Sequence, residues 1–419
     1  NDEKFFYTTN YDSEFYYLMS YNLSNGDRKV EYKTNWDVAF SYLSKNDSYR
    51  VIAVNEDAQN KLIIKNMNDE SDLSIVGTEN MNINSVTFSD DEKQLLLSTE
   101  TEKIYRHSSK SAYYIYNVFT DKLKKLTDDK VMYATFSPNG EKVAYVFDNN
   151  LYIKNIRSEK ITQVTTDGKK NHIINGASDW VYEEEFALVR SFEWSKNGDY
   201  LAYYKFDESN VKEFSMDLFK GGLYPTQEVF KYPKAGEANS TVEIFIYDLA
   251  SNKIVEADIE VEDEFYIPRI KWTKDENVLS VQRMNRHQNN LEFILVNATD
   301  GTAKTIFTET DDAYIDVTDN LTFLNDGEHF VWTSEKSGYN HIYLYNLKGK
   351  QVRKITKGDY DVTDFYGVDE TNNTVYFGSA ERSPMHRDIY AVQLNGRNKR
   401  VLTNKTGTNS ATFSTSYKY

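Results

Sequence analysis

The 419-residue chain carries 49 basic and 65 acidic side chains, a net charge of −16 at neutral pH, and no cysteine. That acidity repels nucleic-acid phosphates and anionic lipids, and the missing thiols exclude disulfides, thiolate metal sites and a cysteine nucleophile. No apolar run approaches the roughly 20 residues that span a bilayer, while 33 Tyr and 23 Phe among 39% hydrophobic residues supply a core with a bias towards strands.

In chain order, the polar opening Asn1-Asp2-Glu3-Lys4 implies that any signal peptide has been removed or lies outside this sequence. The first 80 residues carry no pattern to which a role is assigned. A repeat then begins. VTFSDDEKQLLLS (86–98), ATFSPNGEKVAYV (134–146), FEWSKNGDYLAYY (192–204), IKWTKDENVLSVQ (270–282) and LTFLNDGEHFVWT (321–333) each read as strand, tight turn and strand. Pro, Asn, Asp and Gly supply the turn geometry, and alternating apolar residues predict one buried face per strand. A Tyr-rich third strand follows, as in YYIYN (113–117), IFIYD (244–248) and HIYLYN (341–346), then a short segment ending in Thr at 127, 165, 356 and 403.

The repeated aromatics Phe88, Phe136, Trp194, Trp272 and Phe323 are spaced 48, 58, 78 and 51 residues apart. Units of roughly 40 to 50 residues with four short strands predict propeller blades, and the two long intervals must hold insertions. The one helical turn expected is DWVYEEEFALV (179–189), inside the first insertion. The fold class is therefore all-β, one propeller over residues 1–419. Ala411-Thr412-Phe413-Ser414 repeats Ala134-Thr135-Phe136-Ser137, so a last blade begins there and is left incomplete at Tyr419. An open blade exposes an unpaired strand edge, so the chain is expected to be part of something longer; a stop codon directly after Tyr419 would contradict this.

No G-x-S-x-G elbow, HExxH helix or phosphate-binding loop is present, and no cofactor or metal is implied. The histidines (107, 172, 287, 329, 341 and 386) are scattered through the repeats, and Asp311-Asp312 sits in a turn-like context. Two segments could carry chemistry. In DWVYEEEF (179–186), neighbouring side chains on a helix diverge by about 100°, so two of Glu183, Glu184 and Glu185 can converge on one ligand. Each carboxylate about 4 Å from an ammonium contributes roughly 1 kcal/mol in water and about 4 at intermediate dielectric. The other reading is an exposed acidic helix start favoured by the dipole. Arg106, in KIYRHSSKSAYYIY (103–116), could bind a substrate carbonyl or form a surface ion pair.

Asn175-Gly176-Ala177-Ser178-Asp179-Trp180-Val181-Tyr182-Glu183-Glu184-Glu185 resembles the double-glutamate segment of the dipeptidyl peptidase IV family, in the prolyl oligopeptidase superfamily of serine peptidases. FEWSKNGDYLAYYKFDES (192–209), FKYPKAGEANSTV (230–242), YRHSSKSAYYIYN (105–117), YIPRIKW (266–272), NRHQNNLEFILVN (285–297) and SEKSGYNHIYLYNL (334–347) extend the likeness from about Asn82 onwards. The resemblance implies an eight-bladed propeller capping an α/β-hydrolase domain that this chain lacks, and with it the catalytic Ser/Asp/His triad. It implies that Glu184 and Glu185 clamp the substrate's terminal ammonium and that Arg106 binds a substrate carbonyl. Asp179, Trp180, Tyr182 and Glu183 are then structural neighbours.

It further implies peptide substrates with free amino termini, release of Xaa-Pro or Xaa-Ala dipeptides, and a periplasmic or cell-surface location. A homodimer could form through an extension for which 205–241 is the candidate. The phenylalanine and arginine that widen the pocket of mammalian members have no clear counterpart near YIDVTDNLTF (314–323), and their cysteines are missing, which points to a bacterial type. A stand-alone propeller serving as a protein-interaction or ligand-binding scaffold is the alternative, as is an inactive family member.

Overall fold

The recurring Ser and the Asp or Asn two positions later form a hydrogen-bonded unit. Ser89 Oγ donates to Asp91 at 2.7 Å and accepts from the Gln94 amide at 3.1 Å. Ser137 does the same with Asn139 and Lys142, and Ser195 with Asn197 and Tyr200. A hydroxyl that both donates and accepts thus closes these three hairpins, which accounts for the letters they share. The computed structural model describes residues 4–10, 16–22, 27–34, 37–56, 59–69, 71–76, 81–259 and 264–417. The opening Asn1-Asp2-Glu3 and the terminal Tyr419 lie outside the described residues.

Strands form at all five predicted repeats. Contacts divide the chain into two compact units, one of Asn1–Glu102, Lys110–Val143 and Thr412–Tyr419, the other of Lys103–Ser109 and Ala144–Ala411. In the first, Asp37–Leu43, Tyr49–Glu56, Gln59–Asn66 and Asp72–Val76 make an antiparallel sheet in sequence order. Its Val51, Ala53, Leu62 and Ile64 share a core with Ile83, Val86, Leu95 and Leu97 of the following sheet. Lys4–Asn10, Tyr16–Asn22 and Arg28–Thr34 form a three-stranded sheet. The end of the chain belongs to this same unit: Ser416 Oγ donates to Asp47 at 2.8 Å. Residues 411–417, where a last blade is expected to begin, hold a turn and no strand.

The second unit repeats the four-stranded meander at Phe265–Trp272, Val278–Asn285, Asn290–Asn297 and Ala303–Thr310, and twice more before Val401. Leu324, Val331, Ile342, Val375, Phe377 and Tyr390 join two of these sheets through one apolar layer. Burial differs from the predicted alternation. Leu279, Ser280, Val281 and Gln282 are all buried in succession, as are Phe330 to Ser334. Sheets stacked face to face cover a central strand on both sides, so both of its faces become core.

The fourth strand of these sheets ends before the threonine that follows it. Thr165 and Thr356 instead use their hydroxyls to accept the amides of Leu151 and Ile342 at 2.9 and 3.0 Å. The side chain thus stands in for a ladder partner where the strand pair frays.

Both long intervals hold insertions, as expected. The first contains the one helix among the described residues, Trp180–Phe186. The second contains a separate two-stranded arm, Glu213–Leu218 paired with Thr226–Lys231, which lies between the sheet strands Tyr200–Asp207 and Thr241–Asp248. The fold class is the expected one, an all-β chain of four-stranded blades with one short helical insertion.

Candidate functional site

Asp179 starts the helix. Its carboxylate accepts the Tyr182 amide at 2.9 Å and, with its other oxygen, the hydroxyl of Ser240. Such a cap satisfies a donor that the helix leaves free. Ala187 ends the helix in the left-handed region, at φ +51°. Seven residues cannot hold a helix unaided, so packing must. Tyr182 and Phe186 sit edge-on to one another and to Tyr266, with ring centroids 5.1 to 5.9 Å apart, and Tyr182 also meets Phe206 at 4.8 Å. The Tyr182 hydroxyl accepts the Ile267 amide at 2.9 Å. Trp180 lies on Tyr232, centroids 4.1 Å apart.

With this register the three glutamates diverge. Glu183 points inward, 1% exposed, and its Oε1 accepts the amides of His107 and Ser108 at 2.6 and 2.9 Å. It therefore ties down the loop that carries Arg106. Glu184 is half-buried and pairs with Arg106 Nε at 2.9 Å. Glu185 is exposed and accepts from Gln288 Nε2 at 2.7 Å. The Arg106 side chain is 70% exposed, and its terminal nitrogens have no partner among the described residues. The structure thus brings Glu184 and Arg106 into contact, sets Glu185 one position along the same helix, and places Asp179, Trp180, Tyr182 and Glu183 in supporting contacts.

The surroundings are acidic. Burial raises the Asp179 carboxyl against the hydrogen bonds it accepts. Glu208 is pushed up to about 7 by burial and by the charge of Asp179. The Tyr105 phenol rises to about 12, from burial and from Glu208, Glu228, Glu183 and Asp179. This environment favours a cation, and the free end of Arg106 favours a carbonyl or carboxylate beside it.

Sequence reasoning assigned nothing to Gln288, Ser240 or Tyr232. They lie in NRHQNNLEFILVN and FKYPKAGEANSTV, segments without a chemical signature of their own, and only the fold brings them to the helix. His107 contributes only its backbone amide here, while His341 and the Asp311-Asp312 pair fall elsewhere. His341 is buried with both ring nitrogens engaged by Thr356 and Gly358, and Asp311 and Asp312 are exposed. No helix among the described residues is long and apolar enough to cross a membrane.

The family profile for the dipeptidyl peptidase IV N-terminal region matches residues 89–419, a range that includes Arg106 and the whole helix. The chain belongs to this family. It is similar to dipeptidyl aminopeptidase B of Saccharomyces cerevisiae, 29% identical over 89% of this chain and 47% of the relative. To the inactive dipeptidyl peptidase 10 of Mus musculus it is 30% identical, over 80% of this chain and 45% of the relative. Among solved structures, Porphyromonas gingivalis dipeptidyl peptidase 4 superposes with a TM-score of 0.82 at 36% identity, covering 91% of this chain and 55% of that one. The chain spans about half the length of these relatives. Its blades and helix are accordingly those of a dipeptidyl peptidase IV N-terminal propeller region.

Proposed function

We propose that the helix Trp180–Phe186 and Arg106 form the amino-terminus clamp of a dipeptidyl peptidase. Glu184 and Glu185 receive the substrate's α-ammonium, and the free nitrogens of Arg106 receive a backbone carbonyl of the same peptide. One observation carries the reading: the Arg106–Glu184 pair, with a second carboxylate adjacent and unengaged guanidinium nitrogens facing outward. A peptide brings both complementary groups at once. Its ammonium gains charge-assisted hydrogen bonds, and its carbonyl meets a fixed fork of donors. Anchoring the amino terminus sets a fixed reach, so that only the bond after the second residue meets a nucleophile on the companion α/β-hydrolase domain.

Xaa-Pro and Xaa-Ala dipeptides are the products this reading assigns to the full-length protein. Periplasmic or cell-surface location belongs to the same proposal and rests on the resemblance. So does a homodimer through the arm, whose Phe219, Leu223 and Tyr224 are exposed; a monomeric sedimentation coefficient for the full-length protein would remove it.

The test is hydrolysis of Gly-Pro-p-nitroanilide by the full-length protein and its Glu183→Gln, Glu184→Gln and Glu185→Gln variants. Loss of about 100-fold or more in kcat/KM is expected at 184 and 185. Glu183→Gln keeps the oxygen that accepts both amides and is expected to change kcat/KM by less than about threefold. Equal losses at all three positions would remove the assignment. The match to an inactive mouse relative favours a second reading, in which the clamp binds peptide amino termini without turnover. Peptide binding without hydrolysis in the same experiment would select it.

A further inference from the structure

Each element that presents a clamp group rests on the base of the two-stranded arm. The Arg106 loop does so through Tyr105, whose ring lies 5.7 Å from that of Phe230. The glutamate helix does so through Trp180 on Tyr232, and through its capping Asp179, bonded to Ser240 where the chain returns from the arm. Phe230 and Tyr232 meet edge to face, and Phe214 on the opposite strand touches both, at 6.1 and 5.5 Å. Lys234 Nζ lies 4.5 Å from the Phe214 ring and 4.7 Å from that of Tyr232. Lys231 Nζ donates to the Val211 carbonyl at 2.8 Å, drawing the arm's outgoing and returning chains together.

The Arg106–Glu184 pair therefore spans two elements, a loop and a seven-residue helix, neither able to fix its own position. Their separation is fixed by what both rest on. Besides the Glu183 bonds, that common support is the aromatic block at 214, 230 and 232. We propose that this block is part of the substrate-binding machinery, with Tyr105, Trp180, Phe230 and Tyr232 as positioning residues for the clamp. The proposal rests on the clamp reading above and adds to it a determinant outside the glutamate helix. Binding groups must be held to about 0.5 Å, and rings in edge and offset contact transmit displacements of that size because packed interiors yield little.

The experiment is a double-mutant cycle on the full-length protein. The readouts are KM for Gly-Pro-p-nitroanilide where turnover occurs, and the calorimetric dissociation constant for the dipeptide Gly-Pro in every case. Trp180→Ala and Tyr232→Ala should each weaken KM or the dissociation constant about tenfold with kcat changed less than about twofold. Trp180→Phe should restore binding to within about threefold. In the Glu184→Gln/Glu185→Gln background, Trp180→Ala should add nothing further, since the groups it positions are gone.

Folded Tyr232→Ala protein with parental affinity would overturn the inference, and so would a Trp180→Ala effect of equal size in both backgrounds. In either of those cases the clamp would stand. Should the glutamate substitutions themselves leave affinity unchanged, the clamp reading fails, and that arm of the cycle shows it separately. If the alanine variants do not fold, Tyr232→Leu takes their place, with unchanged affinity again the overturning result.

Discussion

Glu183, Glu184 and Glu185 are consecutive and chemically identical, yet one is sealed beneath a loop, one is paired with an arginine and one is exposed. The string marked a candidate site, because three carboxylates after Trp and Tyr in an otherwise repetitive chain have no blade to belong to. Its residues alone left an exposed acidic helix start open, and the clamp came from the family resemblance. Their division of labour was not legible, since each partner lies at least 75 residues away in sequence. Behind them, Glu208 sets a pH dependence. Its carboxyl rises from an ordinary 4.5 to about 7, so the folded chain holds a proton that the unfolded chain releases. The resulting stability is complete below about pH 4.5, declines as pH climbs through about 7, and then levels. Half-buried Glu193, also pushed up to about 7 by burial, acts in the same sense. Urea unfolding of this chain should therefore show stability falling between about pH 5 and 8. Glu208→Gln should flatten that slope by something on the order of 1 kcal/mol after solvent screening. An unchanged slope in the variant would contradict the assignment.

Among the elements, the hairpins were the most legible part of the chain, because Ser-x-Asn/Asp turns carry their hydrogen bonds in the side chains that spell them. Burial was less so. A strand between two stacked sheets has no solvent face, and the expected alternation is replaced by runs of buried residues. Glycine turns hide a second constraint in the same way. Gly349 and Gly327 both sit at positive φ, at +77° and +69°. A Cβ on Gly327 would meet open space, whereas one on Gly349 would lie 1.9 Å from the Ile306 carbonyl oxygen of the preceding sheet. Gly327→Ala should cost about 1 kcal/mol of stability from backbone strain alone. Gly349→Ala should cost roughly 2–4 kcal/mol, since a backbone must also move. Thermal melts of the two variants decide this, and equal losses would show that the close approach is relieved without cost.

For the whole molecule, the long intervals between repeats foretold two insertions but not that they would meet. Spacing along a chain reports how much sequence is extra, whereas the contact between Trp180 and Tyr232 depends on how two excursions leave their sheets. Residues from Thr412 onwards are grouped with the first unit, and Ser416 bonds to Asp47 in the Ser44–Tyr49 turn. Removing residues 412–419 should raise amide hydrogen exchange in the turn at 44–49 by about tenfold or more, while the turn at 195–200 in the second unit keeps its protection. Equal change in both turns would contradict a local role for the tail. The contact of Trp180 with Tyr232 has an optical consequence. Of the five tryptophans, Trp194, Trp272 and Trp332 are buried and Trp36 is outside the described residues. Trp180 is half-buried on the helix that carries Glu184 and Glu185. On the proposed clamp reading, its emission is placed to respond when a peptide amino terminus arrives, which would make it a native fluorescence reporter of that binding.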